Sequence, residues 1–284
     1  MPLPFLRLPE LIQTQTLLHL DPIDLRIWAF NEIYYLLKLK TSSGFWYLGI
    51  PFDFNNSTYH CGTLAFNGAH LPIYRDDYTL EIRPGNLTYF ERIQLLEHLT
   101  KCVFDIFRIS ECHMNANILK HTEFVLKHTK TLKTLSIFDS DQADRLSTLL
   151  ENLEIEELRV KKLFRERPPT LQYKGPLTME FLNCDDLDWI VEESFWNMEC
   201  KKVRVNYMPN KILEDFVQNW KAGMMSNLEE FTLDLRLERG MMVKAVGGTA
   251  TERIDDNTLC FRREDGATAT LTIKSPGFVF IVKK

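Results

Sequence analysis

The chain has 284 residues, 45% of them apolar and 26% charged, with 19 Phe and a net charge of −5. This composition excludes wholesale disorder, supplies one large or two modest cores, and gives no excess of positive charge for a nucleic-acid partner. No window reaches the roughly 18 apolar residues of a membrane span, and the N-terminus lacks the pattern of a signal peptide. Six cysteines, at 61, 102, 112, 184, 200 and 260, stand singly, the spacing of reduced thiols in an intracellular protein of cytoplasm or nucleus.

The predicted elements begin with a helix from Pro9 that carries Leu11, Ile12, Leu17, Leu18 and Leu20. Asp21-Pro22 stops it and restarts the chain, Asp as cap and Pro at a first helical position. The helical reading continues through Ile27, Trp28, Phe30, Ile33, Tyr34, Leu36 and Leu37 and ends at Thr41–Gly44. Phe45–Phe54, Tyr59–Phe66 and Tyr78–Ile82 read as short strands with turns at Asn55-Asn56-Ser57 and Asn67-Gly68. Leu87–Leu99 then reads as an amphipathic helix.

A pattern of apolar-x-x-apolar-x-apolar recurs from Phe104, Leu132, Ile155, Cys200 and Leu228, with a further strand-like alternation at Leu177–Phe181. The spacing amounts to about six units of 22–28 residues, the period of leucine-rich repeats. Helical patterns fill the intervals Asn115–Thr129, Asp141–Leu153, Asp185–Asn197 and Asn210–Ala222, and a loop fills 161–176. Such units bury their apolar faces only by stacking. Asn257–Arg263 and Ala267–Lys274, joined through Asp265-Gly266, read as a hairpin that caps the stack.

Chemistry-bearing constellations are sparse. There is no GxSxG, and Gly247-Gly248-Thr-Ala-Thr-Glu lacks the Gly-Lys-Ser/Thr ending of a phosphate loop. Cys102, Cys112, His113, His121 and His128 match no usual zinc spacing, and Asp185, Asp186 and Asp188 fit an acidic first helical turn. No catalytic residue, metal or cofactor is expected. Trp189, Phe195, Trp196, Tyr207 and Trp220 are core residues by default, with one or two available as anchors for a partner.

Leu8-Pro9, Leu17-Leu18-His19-Leu20, Asp21-Pro22 and Asp24-Leu25 resemble the F-box, and Pro4–Pro9 resembles its variant in the expanded nematode families. The region from about 170 onward is similar to the F-box-associated type 2 domain of those proteins. The resemblance departs from the family at Ala29–Tyr35, which lacks the basic third-helix stretch. The expected fold is therefore α+β: a short N-terminal helical F-box-like bundle (1–41), a β-rich connector and helix (42–100), an irregular leucine-rich-repeat-like stack of strand–helix units (101–240) and a C-terminal β cap (241–284). The resemblance implies a non-enzymatic substrate receptor whose partners are a Skp1-type adaptor, a cullin complex and a target protein. Docking to the adaptor then falls to Leu8, Pro9, Ile12, Leu17, Leu20, Pro22, Ile23 and Leu25. The alternative is a protein-interaction scaffold outside any ligase, with these apolar residues packed into its own core.

Overall fold

The computed structural model describes residues 23–30, 34–41, 44–50, 59–75, 79–83, 87–106, 108–116, 123–138, 143–161, 172–208, 210–234, 250–274 and 277–283. The chain divides into two compact units, 1–135 and 136–284.

In the first unit, β1 (Ile23–Phe30) and β2 (Tyr34–Thr41) pair antiparallel from Asp24↔Lys40 to Phe30↔Tyr34. On its other side β1 pairs in parallel with β7 (Ile109–Ala116), Leu25 facing Cys112 and Ile27 facing Met114. The sheet continues from β2 through β3 (Gly44–Ile50), β6 (Thr79–Ile82) and β5 (Ala69–Arg75) to β4 (Tyr59–Phe66). Asn67 and Gly68 connect β4 to β5 with φ of 49° and 79°, the left-handed pair that an Asn-Gly hairpin turn requires. Helix α1 (Tyr89–Ile106) opens on a capping box: the Thr88 N–H donates to the Glu91 carboxylate at 2.8 Å, and the Glu91 N–H donates back to the Thr88 hydroxyl at 3.3 Å. Ile93, Leu96, Leu99, Thr100 and Val103 form its buried stripe. A 3-10 turn, Glu123–Lys127, precedes β8 (Thr131–Ile137), the strand within which the first unit ends.

The second unit contains α2 (Ala143–Asn152), β9 (Glu154–Val160), β10 (Phe181–Cys184), α3 (Glu192–Trp196), β11 (Lys202–Val205), α4 (Asn210–Lys221), β12 (Glu230–Leu233), β13 (Glu252–Arg253), β14 (Thr258–Arg262), β15 (Thr268–Ile273) and β16 (Phe278–Lys283). Strands β9, β10, β11 and β12 run parallel in that order. The last strand, β16, lies antiparallel against β12, and β15, β14 and β13 follow it outward, each antiparallel to its neighbour. Leu213, Phe216, Val217 and Trp220 are buried on one side of α4, at the spacing of one helical face. The Phe216 ring lies 4.5 Å from that of Phe231 and 5.2 Å from that of Phe280, and Trp220 is 5.2 Å from Phe280. Arg263, between β14 and β15, holds the Asp265 carboxylate with its Nε at 2.9 and 3.0 Å and lies 5.2 Å over Trp220.

This architecture corrects the expected one. In the stretch read as the third helix of a helical bundle, Ile23–Phe30 and Tyr34–Thr41 form β1 and β2 instead. Leu25-Arg26-Ile27 and Leu37-Lys38-Leu39-Lys40 alternate apolar and polar at period two, and the Ile, Trp, Phe and Tyr among them favour extended backbone. In place of a repeat-like stack with a hairpin cap, strand dominates over helix and each unit holds a sheet of mixed direction. The physical reason lies in the core. β14, β15 and β16 contribute Phe261, Leu271, Phe278 and Phe280 to the same buried layer as Phe231, so the C-terminal strands complete the sheet of their unit. Phe104, expected to open a repeat strand, belongs to α1. The N-terminal helix expected from Pro9 lies outside the described residues.

Cys102, Cys112, Cys184, Cys200 and Cys260 are free thiols. Burial pushes Cys112 and Cys200 up to about 12, and raises Cys184 as well. A thiol raised in the folded chain favours folding fully below its unfolded pKa of about 8.5, and that contribution is lost as pH climbs toward the folded value. Urea unfolding midpoints are therefore expected to fall steadily from about pH 9 to about pH 11; a flat profile across that window contradicts the burial of these thiols.

Candidate functional site

Of the residues expected to dock an adaptor, Leu8, Pro9, Ile12, Leu17, Leu20 and Pro22 lie outside the described residues. Ile23 opens β1 opposite Ile109, and Leu25 sits in the same strand in register with Leu39 and Cys112. Leu25 is fully buried. A side chain there belongs to the interior of the first unit and presents nothing to a partner.

The first unit holds a cavity of about 250 Å³, lined by Phe104 at the end of α1, by Ile109, Ser110 and Cys112 at the start of β7, and by His128, Thr129 and Thr131. The His128 ring stacks on Phe104 at 5.4 Å, and its Nε2 is shielded from solvent without a hydrogen-bond partner. Burial lowers the His128 pKa, against the pull of Asp105 and Glu97. Burial thus favours the neutral imidazole, and in the same cavity it pushes the Cys112 thiol up to about 12. A thiol in that state supplies almost no thiolate at neutral pH, the opposite of an activated nucleophile. Cys102 lies 3.8 Å from His98, and the His113 Nδ1 lies 3.1 Å from the Thr134 hydroxyl. Among the described residues no three of His, Cys, Asp or Glu are grouped to hold a metal ion, and His121 falls outside them.

The second unit offers a surface. Strands β10, β11, β12, β14, β15 and β16 send one parity of side chains inward and leave the other unburied. Strand register arranges that outer face in rows. One row runs Arg159, Asn183, Arg204, Thr232, Val279, Thr272, Thr258. The next runs Glu157, Phe181, Lys202, Glu230, Ile281, Thr270, Cys260, Glu252. A third, shorter row holds Lys283, Thr268 and Arg262. None of these side chains is buried, and Ile281 is 43% exposed. Several charges are already matched: Arg159 pairs with Glu157 at 2.7 Å and Arg204 with Asp234 at 2.6 Å. Lys202, Arg262 and Lys283 have no ion-pair partner among the described residues.

No family model, curated protein or solved structure matches the chain. The outer face must therefore be read from its own chemistry. Trp189, Phe195, Trp196 and Trp220 are buried, while Tyr207, just beyond β11, is 50% exposed. Sequence spacing does not single out Arg262, Thr268, Ile281 or Lys283, because three strands bring them together only through pairing. The alternation of Thr268-Ala-Thr-Leu-Thr-Ile273 is the one local signal that the three Thr share a face.

Proposed function

We propose that this chain is a non-enzymatic substrate receptor inside the cell. Its residues 4–22 tether it to a Skp1-type adaptor of a cullin ubiquitin ligase, and its second unit holds a target protein. The observation that carries the binding half is the outer face of the β9–β16 sheet, where charged, hydroxyl and aliphatic side chains stand in rows with none buried. Such mixed surfaces suit protein recognition better than small-molecule chemistry. The tether rests on the resemblance of Leu8-Pro9, Leu17–Leu20 and Asp21-Pro22 to the F-box. On this reading the chain does no chemistry itself; it raises the local concentration of target lysines near a charged conjugating enzyme. No helix among the described residues is long and apolar enough to cross a membrane.

The test is a pull-down of the purified full chain with a Skp1-type adaptor, alone and with its cullin. Saturable 1:1 capture is expected, abolished in a Leu17→Ala, Pro22→Asp double variant whose circular dichroism is unchanged. Capture that survives the double variant, or none by the folded parent, sinks the tether.

A second reading, an interaction scaffold outside any ligase, is favoured by one observation. Ile23–Phe30 and Tyr34–Thr41 pair as strands and Leu25 is buried, where a third docking helix was expected.

A further inference from the structure

The outer face of β14, β15 and β16 changes character from row to row. Arg262 and Lys283 flank Thr268 in one row, two strands apart, which places their Cα atoms about 10 Å from each other. Both are exposed, and neither has an ion-pair partner among the described residues. Asp265, three residues from Arg262, is taken by Arg263, and Glu264 stands exposed in the turn between them. The next row, about 7 Å along the strands, changes character: Ile281 and Cys260 flank Thr270. That row is closed at its two sides by acidic residues, Glu230 beside Ile281 and Glu252 beside Cys260. The row after it, with Val279 beside Thr272, is uncharged over these three strands.

We propose that this patch docks an extended segment of the target that carries one acidic side chain followed, at two-residue spacing, by aliphatic ones. The inference rests on the receptor reading and names the chemistry that reading leaves open. An extended segment lying along the strands presents residues i, i+2 and i+4 to the sheet at the same repeat as the rows. The acidic side chain at i sits between Arg262 and Lys283, where two cations face one anion. The aliphatic side chains at i+2 and i+4 cover Ile281 and Val279. Glu230 and Glu252 repel an acidic residue placed at i+2, so the patch reads the position of the charge as well as its sign. The footprint is small, which makes binding of the segment alone weak and salt-sensitive.

The test uses the full chain and three labelled synthetic peptides that differ at one or two positions. The first contains Glu-Ser-Val-Ser-Val, the second Gln-Ser-Val-Ser-Val, and the third moves the charge, Val-Ser-Glu-Ser-Val. Fluorescence anisotropy is expected to rank the first about tenfold tighter than the other two, with the margin shrinking at about 0.5 M salt. Arg262→Glu with Lys283→Glu should erase the preference, and Ile281→Asp should weaken all three peptides. Cys260 lies in the patch, so bound peptide should slow its alkylation while leaving Cys102, in the first unit, unchanged. Equal binding of the three peptides, binding by none, or a preference that survives the double charge reversal overturns the proposal. So does concentration-dependent self-association that Ile281→Asp removes, which would make a second copy the occupant. Peptide failure with adaptor capture intact sinks this inference alone; adaptor failure with position-specific peptide binding sinks the ligase tether and leaves the patch standing.

Discussion

Gly277→Ala is expected to collapse the junction between β12 and β16 and lower the stability of the second unit by at least about 3 kcal/mol. Gly277 has φ of +89°, a left-handed backbone that an L side chain adopts only under strain. A Cβ built there would sit 1.7 Å from the Leu233 carbonyl oxygen and 2.7 Å from its carbon. Both obstacles are backbone, at the last residue of β12, and Leu233 pairs with Phe278, the residue after the glycine. Relief therefore requires the two strands to part, which uncovers Phe231, Phe278 and Phe280 together. For a unit of this size the loss corresponds to a melting temperature lower by roughly 6–12 °C. Gly266→Ala is the matched control: its φ is +92°, but an added Cβ meets nothing within 4 Å. It should cost only about 1 kcal/mol. Thermal melts of the two variants side by side decide the matter, and equal losses would mean that the close approach to Leu233 is not what requires glycine at 277.

The second large effect is expected at Phe231. Its ring is fully buried, 4.5 Å from Phe216, 6.0 Å from Phe278 and 6.4 Å from Phe195. Three neighbours from α4, β16 and α3 converge on one side chain, and no single shift fills the space that it leaves. Phe231→Ala should lose about 3–5 kcal/mol, read as a lower urea midpoint with an unchanged slope. Phe231→Leu keeps most of the volume and should lose about 1.5 kcal/mol or less. A Phe231→Ala loss below about 1 kcal/mol would place the centre of the second unit's core elsewhere.

Both effects depend on the same feature, the insertion of β16 beside β12, and it was not legible in the chain. The final strands read as a cap because Asp265-Gly266 between alternating segments announces a hairpin wherever it occurs. The hairpin turn is there, with Gly266 at positive φ. What the alternation could not convey is which sheet neighbour the third strand finds. Phe278, Phe280 and Val282 are apolar at period two in any arrangement, and their burial against Phe231 follows from pairing across some 50 residues of chain. The candidate patch was hidden for the same reason. Arg262 and Lys283 are unremarkable surface charges until β15 places them on either side of Thr268.

In the first unit the error was one of period. Leu25 to Leu37 holds enough apolar residues to satisfy a helical template, and the preceding Asp21-Pro22 invites one. The Leu-Lys-Leu-Lys run at 37–40 carries the contrary signal, and tertiary pairing decides for it: β1 gains β2 on one side and β7 on the other. A contact such as the Ser110 hydroxyl donating to Asp24 at 3.0 Å joins residues 86 positions apart, and no local pattern encodes it.

By itself, the sequence determined the alternation of Thr268–Ile273, where Asn67-Gly68 and Asp265-Gly266 reverse the chain, and that a helix follows Leu87, although its capping box is seen only in the structure. Those features depend on residues within a few positions of one another, and backbone sterics and side-chain hydrophobicity are sufficient to set them. Only the tertiary structure decided that Ile23–Phe30 and Tyr34–Thr41 are strands, that β16 completes the sheet, and that a row with a basic pair lies next to the rows of Ile281 and Val279. Each of those depends on hydrogen bonds and buried contacts between distant segments, whose free energy exists only once the sheet has formed.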